Sequence, residues 1–225
     1  MKFSGVRKTS LIDFPDRISS VLFTPDCNLR CPYCHNWRIV VNPRPPFLNE
    51  KEVLQVLEER KRYVDAVVVT GGEPTMHREI PRFLGKLREK GFAVKLDTNG
   101  FFPKVLEKCL PQIDYVALDL KTSLAKYSRL GAKETRSLLQ AVEVLKSEDM
   151  EYEFRTTVVP GFVDKEEVLE MREIVEGGKL LAFQQFVPGD TLDKTFSSIE
   201  PHSVEVISSF AEIMKDYVDE IVLRV

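Results

Sequence analysis

The chain has 225 residues, the length of one large α/β domain or two small ones. Hydrophobic residues make up 43% and charged residues 30%, which is ordinary for a globular protein with a sizeable core. The net charge of −3 and the absence of a basic stripe exclude a typical nucleic-acid-binding surface. No apolar run approaches the roughly 20 residues that span a bilayer, and the N-terminus lacks a signal-peptide pattern. We therefore expect a cytoplasmic protein with reduced cysteines and no membrane partner.

Short apolar runs alternate with amphipathic stretches along the chain. This pattern predicts strands at 17–24, 65–70, 93–97, 115–120, 152–159, 179–187 and 220–225. It predicts a helix capped by Asn49, which has Glu52 in the capping-box position. It predicts further helices over 78–90, 103–110, 133–147, 164–176 and 201–216. Residues 38–47 contain three prolines and are expected to be irregular.

Alternating strands and helices indicate βαβ units and a parallel sheet, so we expect an α/β fold. The sheet could be doubly wound or could curve into a barrel. Six or seven units in 225 residues are slightly few for a closed eight-stranded barrel of about 250 residues. We therefore expect an open, partial (βα)6-type barrel in which residues 1–225 form one domain.

Three of the four cysteines, Cys27, Cys31 and Cys34, lie within eight residues in the pattern C-x3-C-x2-C. Thiolates suit zinc or an iron–sulfur cluster. A structural zinc site normally has four ligands in two short pairs, and no second pair is present. Three cysteines on a [4Fe–4S] cluster would leave one iron open to a small molecule, and the spacing favours this interpretation. A closed zinc site with Cys109 as the fourth ligand is the alternative, although Cys109 has the apolar neighbours of a core thiol.

Unusual residues follow almost every predicted strand. After the cysteines come Gly71-Gly72-Glu73-Pro74, then Asp97-Thr98-Asn99-Gly100, Asp119-Leu120-Lys121, the segment 155–161 and the segment 186–189. Parallel strands bring their carboxyl ends to one edge, where α/β proteins place their active sites. The sequence therefore predicts one site at that edge.

These motifs suggest a family. The cysteine triplet with an aromatic residue before its last cysteine, followed by a strand ending in Gly-Gly-Glu-Pro, resembles the radical S-adenosylmethionine (SAM) enzymes. With the segment 9–15 (TSLIDFP), the run Cys-Pro-Tyr-Cys-His-Asn and the run Asp-Thr-Asn-Gly, the chain looks like the activases of glycyl radical enzymes. Among these it is most similar to the compact activating proteins of anaerobic ribonucleoside-triphosphate reductase, and next to pyruvate formate-lyase activating enzyme.

The resemblance implies an activity. Cys27, Cys31 and Cys34 would hold a single [4Fe–4S] cluster, and the amino and carboxylate groups of SAM would chelate its open iron. Reduction by a donor such as flavodoxin or ferredoxin would yield a 5′-deoxyadenosyl radical. This radical would take a hydrogen atom from a backbone glycine of a partner enzyme, anaerobic ribonucleotide reductase being our first choice. A radical SAM enzyme that acts on a small molecule is the second interpretation.

The resemblance also implies which residues contact the cofactor. They are Tyr33, Asn36, Gly71, Gly72, Glu73, Asp97, Thr98, Asp119, Lys121 and Arg155. Tyr33 would contact the adenine or would simply pack, and Glu73 could merely lead a helix. Asp97 could form an Asx turn, and Arg155, inside a strand, requires an acidic partner or a bound anion. In pyruvate formate-lyase activase the equivalent acids help to hold a monovalent cation, and the resemblance admits such a cation here.

Two residues depart from the family pattern. Asp16 and Asp26 stand where the activases commonly have glycine. If the backbone at either position has a positive φ, aspartate is tolerated there but is less favourable than glycine. Asp26 also adds a negative charge beside Cys27, which would lower the potential of a cluster.

Overall fold

A computed structural model describes residues 1–225, and the chain forms two compact units. The first unit comprises residues 1–28, 36–98 and 102–116, and the second comprises residues 29–35, 99–101 and 117–225. That the whole chain acts as one domain stays a prediction. None of its helices has the length and apolar character needed to cross a membrane.

The sheet of the first unit is mostly parallel. The strands of this unit are β1 (Lys2–Phe3), β2 (Gly5–Ser10), β3 (Ser19–Thr24), β4 (Leu48–Asn49), β5 (Ala66–Gly71) and β6 (Ala93–Thr98). Four of them lie in the order β2-β3-β5-β6, with β2 antiparallel to β3 and the last three parallel. β1 and β4 form a separate antiparallel pair. The first four residues of β5 are fully buried, as expected of a strand covered on both faces.

The first unit has four helices, three of which begin at a side-chain cap or a proline. They are α1 (Trp37–Val41), α2 (Glu50–Arg60), α3 (Ile80–Glu89) and α4 (Pro103–Cys109). The predicted capping box of α2 is confirmed. The N–H of Glu52 donates to Asn49 Oδ1 over 3.1 Å, and the N–H of Asn49 donates to the Glu52 carboxylate over 2.7 Å. α4 has Pro103 at its first position, where the missing N–H costs nothing.

The second unit continues the alternation of strands and helices. Its strands are β7 (Tyr115–Asp119, of which the last three residues belong to this unit), β8 (Glu151–Val158), β9 (Gly178–Gln185) and β10 (Val218–Arg224), and its helices are α5 (Arg136–Ser147), α6 (Lys165–Val175) and α7 (Val204–Met214). The strands lie in the order β7-β8-β9-β10, and β8, β9 and β10 are parallel. The polar and aromatic side chains described below lie in β7 and β8 and in the loops that follow β7, β8 and β9.

The sequence missed part of the first unit. Residues 38–47 were expected to be irregular, but α1 occupies the first four of these residues, because the first proline comes only at Pro43. The edge strand β2 was also missed. Its residues Arg7, Lys8 and Thr9 are exposed, so it lacks the apolar alternation that marks a half-buried strand.

Candidate functional site

In the first unit, the Gly-Gly-Glu-Pro motif follows β5 and is packed against the loop after β3. A Cβ atom on Gly71, whose φ is +116°, would lie 2.5 Å from the backbone nitrogen of Thr24. A Cβ on Gly72 would lie 1.7 Å from the carbonyl oxygen of Asp26. Both positions therefore require glycine because of the neighbouring backbone, and their contact with the cofactor stays a prediction. Asn36 lies here too, since its Nδ2 donates to the Gly71 carbonyl over 3.0 Å.

Glu73 is the buried end of this motif, with 1% of its surface exposed. Its Oε1 accepts hydrogen bonds from the Thr75 N–H (3.0 Å), from the Thr75 hydroxyl and from the Thr98 hydroxyl (2.7 Å). Pro74 and Thr75 are the first residues of a short 3₁₀ helix, and Glu73 caps its N-terminus. The structure thus brings together two predicted site residues, Glu73 and Thr98, and the bonds from Thr75 show Glu73 in the helix-leading role. A contact between Glu73 and the cofactor stays a prediction.

Asp97, near the end of β6, forms a buried ion pair that the sequence analysis missed. Lys95 Nζ donates to Asp97 Oδ1 over 2.6 Å, and only 2% of the lysine side chain and 9% of the aspartate side chain are exposed. The two residues are two apart on one strand, so they share a face of the sheet. A lysine within an otherwise apolar strand was the available signal, because lysine is almost never fully buried without a partner.

Cys109 is fully buried in α4, as expected of a core thiol. Burial, with a smaller contribution from the charge of Glu73, raises the pKa of this thiol to about 12. None of the four cysteines forms a disulfide. Cys27 belongs to the first unit and is partly exposed, with its Sγ 3.9 Å from Asn28 Oδ1.

The two aspartates that replace family glycines both have a left-handed backbone. The φ angle is 56° at Asp16 and 62° at Asp26, and no other non-glycine residue has a positive φ. The condition stated from the sequence is therefore met at both positions. Aspartate is one of the few side chains that tolerates this region.

In the second unit, the loop that carries Cys31 and Cys34 makes a tight turn. The N–H of Cys34 donates to the Cys31 carbonyl over 3.1 Å, and the N–H of Arg30 donates to the Leu130 carbonyl over 2.7 Å. Cys31 is buried and Cys34 is partly exposed. Burial raises the pKa of the Cys31 thiol to about 11, and the nearby charge of Lys121 opposes this rise.

Tyr33 lies between these cysteines, in a cluster of aromatic rings. Its ring centroid is 5.4 Å from that of Phe162, 6.1 Å from Phe196 and 6.5 Å from Phe186. Its hydroxyl donates to the Lys121 carbonyl over 3.4 Å. Burial raises the pKa of Tyr33 well above its usual value. These contacts show that the ring packs, and a contact with adenine stays a prediction.

Asp119, at the end of β7, accepts hydrogen bonds from two cationic side chains. Arg155 Nε donates to Asp119 Oδ1 over 2.7 Å, and Lys121 Nζ donates to Oδ2 over 3.2 Å. Between 17% and 23% of each side chain is exposed. Burial acts to raise the pKa of Asp119, but the charges of Arg155 and Lys121 outweigh it and hold this pKa well below its usual range. The acidic partner expected for Arg155 is therefore confirmed.

Tyr127 supports this group through a contact that no sequence pattern predicted. Its hydroxyl accepts a hydrogen bond from the Lys121 N–H over 2.9 Å, and the side chain is fully buried. Burial raises its pKa, so the phenol stays protonated. A tyrosine in a polar connection carries no pattern that would have revealed this contact.

The histidines have structural partners. His35 stacks on Phe186 with the ring planes 27° apart, and His77 Nε2 lies 3.0 Å from the Pro25 carbonyl oxygen. His202 Nε2 lies 2.9 Å from Asp164 Oδ1, within hydrogen-bonding distance, and 20% of its side chain is exposed.

The donor chemistry of the cysteine loop fits an iron–sulfur cluster. The three thiols of the short loop are soft donors outside any disulfide.

Comparison with known proteins decides the family. Residues 21–174 match the family model of the radical SAM superfamily. The chain is 34% identical over 233 residues to a Methanocaldococcus jannaschii protein named "Putative glycyl-radical enzyme activating enzyme", an alignment covering 98% of this chain and 95% of that protein. The chain belongs to the radical SAM superfamily. It is therefore an oxidoreductase-type enzyme, and its superfamily implies a [4Fe–4S] cluster and SAM as cofactors.

A further relative and two solved structures are also similar to this chain. The pyruvate formate-lyase-activating enzyme of Staphylococcus aureus is 28% identical over 188 residues, which cover 76% of this chain and 74% of that protein. A structure of TYW1 with a lysine–pyruvate adduct has a TM-score of 0.66 at 19% identity and covers 89% of this chain and 74% of its own. Streptococcus suis SuiB has a TM-score of 0.65 at 14% identity, covering 91% of this chain and 50% of its own. These structures share its fold, and the predicted fold class, an open α/β barrel of the radical SAM kind, is confirmed.

Proposed function

We propose that this radical SAM enzyme activates a glycyl radical enzyme. The observation that carries the proposal lies in the second unit. The loop bearing Cys31 and Cys34 is hydrogen-bonded through Tyr33 to the carbonyl of Lys121, a residue that also binds Asp119. Predicted cluster ligands and predicted cofactor contacts thus come from neighbouring loops. The likeness to an activating enzyme over 98% of the chain supports the reaction class.

Cys27, Cys31 and Cys34 would hold the [4Fe–4S] cluster. When bound, the cluster and SAM supply a 5′-deoxyadenosyl radical. The remaining proposed contacts to SAM are Tyr33, Asn36, Gly71, Gly72, Glu73, Asp97, Thr98, Asp119, Lys121 and Arg155.

The charged group at the end of β7 has the chemistry to orient the polar end of SAM. Asp119 fixes Lys121 and Arg155 at one point, so their positions are set before a ligand arrives. Each side chain keeps about a fifth of its surface open to solvent. An anionic group such as the carboxylate of SAM would find two oriented cations there. The buried rings around Tyr33 exclude water from one side of the loop.

The target we propose is a backbone glycine of anaerobic ribonucleotide reductase, with flavodoxin or ferredoxin as the electron donor. The support for this target is the resemblance to the compact activating proteins of that reductase. The motif of residues 9–15, with Cys-Pro-Tyr-Cys-His-Asn and Asp-Thr-Asn-Gly, supports the activases as a group. Pyruvate formate-lyase is the second candidate, because the S. aureus relative named for its activation matches three quarters of this chain.

The test is to mix the reconstituted, reduced protein and SAM with each candidate partner and to record electron paramagnetic resonance spectra. A glycyl radical on the reductase would support the proposal, whereas a radical on pyruvate formate-lyase alone would move the assignment to the second target. Formation of 5′-deoxyadenosine without a radical on either protein would favour a small-molecule substrate.

A monovalent cation is a separate part of the proposal. The Asp97 carboxylate already accepts a hydrogen bond from Lys95, and the Asp119 carboxylate accepts hydrogen bonds from Lys121 and Arg155. Each carboxylate therefore has a cationic side chain within 3.2 Å. We expect SAM cleavage to depend on potassium or sodium only if a cation adds to these contacts. Replacing both ions by tetramethylammonium at equal ionic strength tests this, and unchanged cleavage would remove the cation from the proposal.

A further inference from the structure

The loop that carries Cys31 and Cys34 is covered, within the second unit, by a segment far away in sequence. Residues 189–198, here called the covering segment, follow the end of β9. The N–H of Asp193 in this segment donates to the carbonyl of Pro32 over 2.8 Å. Pro32 lies between the two cysteines, so the segment bonds directly to the backbone of the cysteine loop.

An aromatic contact reinforces this bond. Phe196 of the covering segment lies 6.1 Å, centroid to centroid, from Tyr33 of the cysteine loop. It also lies 6.0 Å from Phe162 and 6.5 Å from Phe186, and only 9% of its surface is exposed. Phe196 thus fills the space between the cysteine loop and the loops that follow β8 and β9. Aromatic contacts of this kind stabilise beyond the area they bury.

The covering segment also has an internal framework. The hydroxyl of Thr191, a fully buried residue, donates to the Asp193 carbonyl over 2.8 Å. The carboxylate of Asp193 accepts from the N–H of Thr195 over 2.9 Å and caps the 3₁₀ turn Lys194–Ser197. The N–H of Phe196 also donates to the Asp193 carbonyl over 3.1 Å, so these bonds hold the backbone at Phe196. The segment therefore presents a preformed surface to the cysteine loop.

We propose that the covering segment is a positioning element for the cysteine loop, anchored by Phe196, that holds Cys31 and Cys34 in place before a cluster is bound. The inference deepens the proposed function and rests on it for the role of these thiols. Preorganised metal-binding side chains lose less conformational entropy when they bind. The covering segment therefore slows the loss of iron from the cysteine loop.

The first test measures the thiols directly in the full-length protein without a cluster. Reduced protein is treated with iodoacetamide under nitrogen, and the rate of alkylation is followed by mass spectrometry after trypsin digestion. Cleavage after Arg30 and Arg38 gives one peptide with Cys31 and Cys34, and cleavage after Lys108 and Lys121 gives another with Cys109. Cys109, fully buried in the first unit, reports on the fold as a whole.

We expect Phe196→Ala to raise the alkylation rate of the 31–38 peptide at least about tenfold relative to the 109–121 peptide, because local opening becomes easier. Phe196→Leu keeps apolar volume and should give a smaller rise. Phe210→Ala is the matched control, since Phe210 is buried in the same unit but its ring contact is with His202. This control should leave the ratio unchanged.

Equal rises at both peptides in Phe196→Ala and Phe196→Leu would show that Phe196 stabilises the whole fold, and would overturn the proposal. An unchanged ratio in both variants would overturn it as well.

The second test uses the reconstituted protein and follows iron loss to the chelator bathophenanthroline disulfonate. Phe196→Ala should lose iron several times faster than the wild-type protein and Phe210→Ala, while Phe196→Leu falls between. If the wild-type protein binds no iron, the proposed function fails, whatever the alkylation shows. If the wild-type protein holds iron and Phe196→Ala releases it at the same rate, only the positioning role fails.

Discussion

Asp97 and Asp119 lie at the ends of β6 and β7, and each is paired with a lysine two residues away, but their settings differ. In the first unit Lys95 precedes its aspartate, and both side chains are at least 90% buried. In the second unit Lys121 follows its aspartate, Arg155 joins it, and about a fifth of each side chain is exposed. We infer that the first pair mainly stabilises the fold, and that the second group mainly orients a ligand.

The largest effect tests the buried pair. Lys95→Met should lower the free energy of unfolding by about 3–5 kcal/mol, because it leaves the Asp97 carboxylate buried without its lysine. Lys90→Met is the control, since Lys90 is 36% exposed in its pair with Glu58 and should cost no more than about 1 kcal/mol. Urea unfolding of the two variants makes the comparison. A loss for Lys95→Met as small as that of the control would contradict the structural role.

The next effect tests how tightly the first unit packs its strand ends. Gly72→Ala should destabilise the protein by about 2–3 kcal/mol, because a Cβ would lie 1.7 Å from the Asp26 carbonyl oxygen. Gly5→Ala is the matched control, as a Cβ on Gly5 meets nothing within 4 Å. Thermal unfolding of both variants measures the difference. Equal melting temperatures for the two variants would contradict the close packing of Gly72 against the loop after β3.

A smaller effect on stability, with a larger effect on function, is expected in the second unit. Asp119→Asn should cost about 1–2 kcal/mol of unfolding free energy, because two charge-assisted hydrogen bonds weaken at a partly solvated position. The same change should abolish most SAM cleavage, since it releases Lys121 and Arg155. Formation of 5′-deoxyadenosine, measured beside unfolding, separates the two roles. A variant with full cleavage activity would contradict the orienting role.

The stability difference at Asp119 should also depend on pH. The folded pKa of this carboxyl lies below its usual value, so its contribution to stability is present above about pH 4, the usual pKa of aspartate in an unfolded chain. It is lost as the pH falls through the folded pKa. The gap between wild-type protein and Asp119→Asn should therefore narrow below about pH 4. A gap that widens towards acid would show that the sign of the shift is wrong.

The smallest effects concern the two left-handed aspartates. Asp16→Gly and Asp26→Gly should each change stability by no more than about 1 kcal/mol, because relief of strain is offset by the greater freedom of glycine in the unfolded chain. Only Asp26 precedes a predicted cluster ligand. Asp26→Gly should therefore raise the cluster reduction potential, and Asp16→Gly should not. Equal potentials in a spectroelectrochemical titration would remove Asp26 from the environment of the cluster.

The features that the sequence predicted correctly are those carried by local patterns. The capping box of Asn49 and Glu52 follows from residue types three apart, and the α/β class follows from alternating periodicities. The acidic partner of Arg155 was predicted because a charge inside a strand must be balanced. The family, read from the spacing of cysteines and glycines, is shown by the comparisons.

What the sequence missed depends on contacts between distant residues or on weak local patterns. The hydroxyl of Tyr127 reaches the Lys121 N–H only because the connection after β7 folds back on itself. Gly72 requires its lack of a side chain because of the Asp26 backbone, which no periodicity in the sequence reveals. Lys95 and Asp97 were visible as neighbours on one strand face, but their burial depends on the strands beside them.

The central claim is that Cys27, Cys31 and Cys34 hold a cluster with one iron open to SAM. The most direct measurement is electron paramagnetic resonance of the anaerobically reconstituted, reduced protein before and after SAM is added. We predict a reduced four-iron signal that shifts on addition of SAM and is absent from Cys31→Ala. A colourless protein that takes up zinc instead of iron, or an iron signal that SAM leaves unchanged, would contradict the claim.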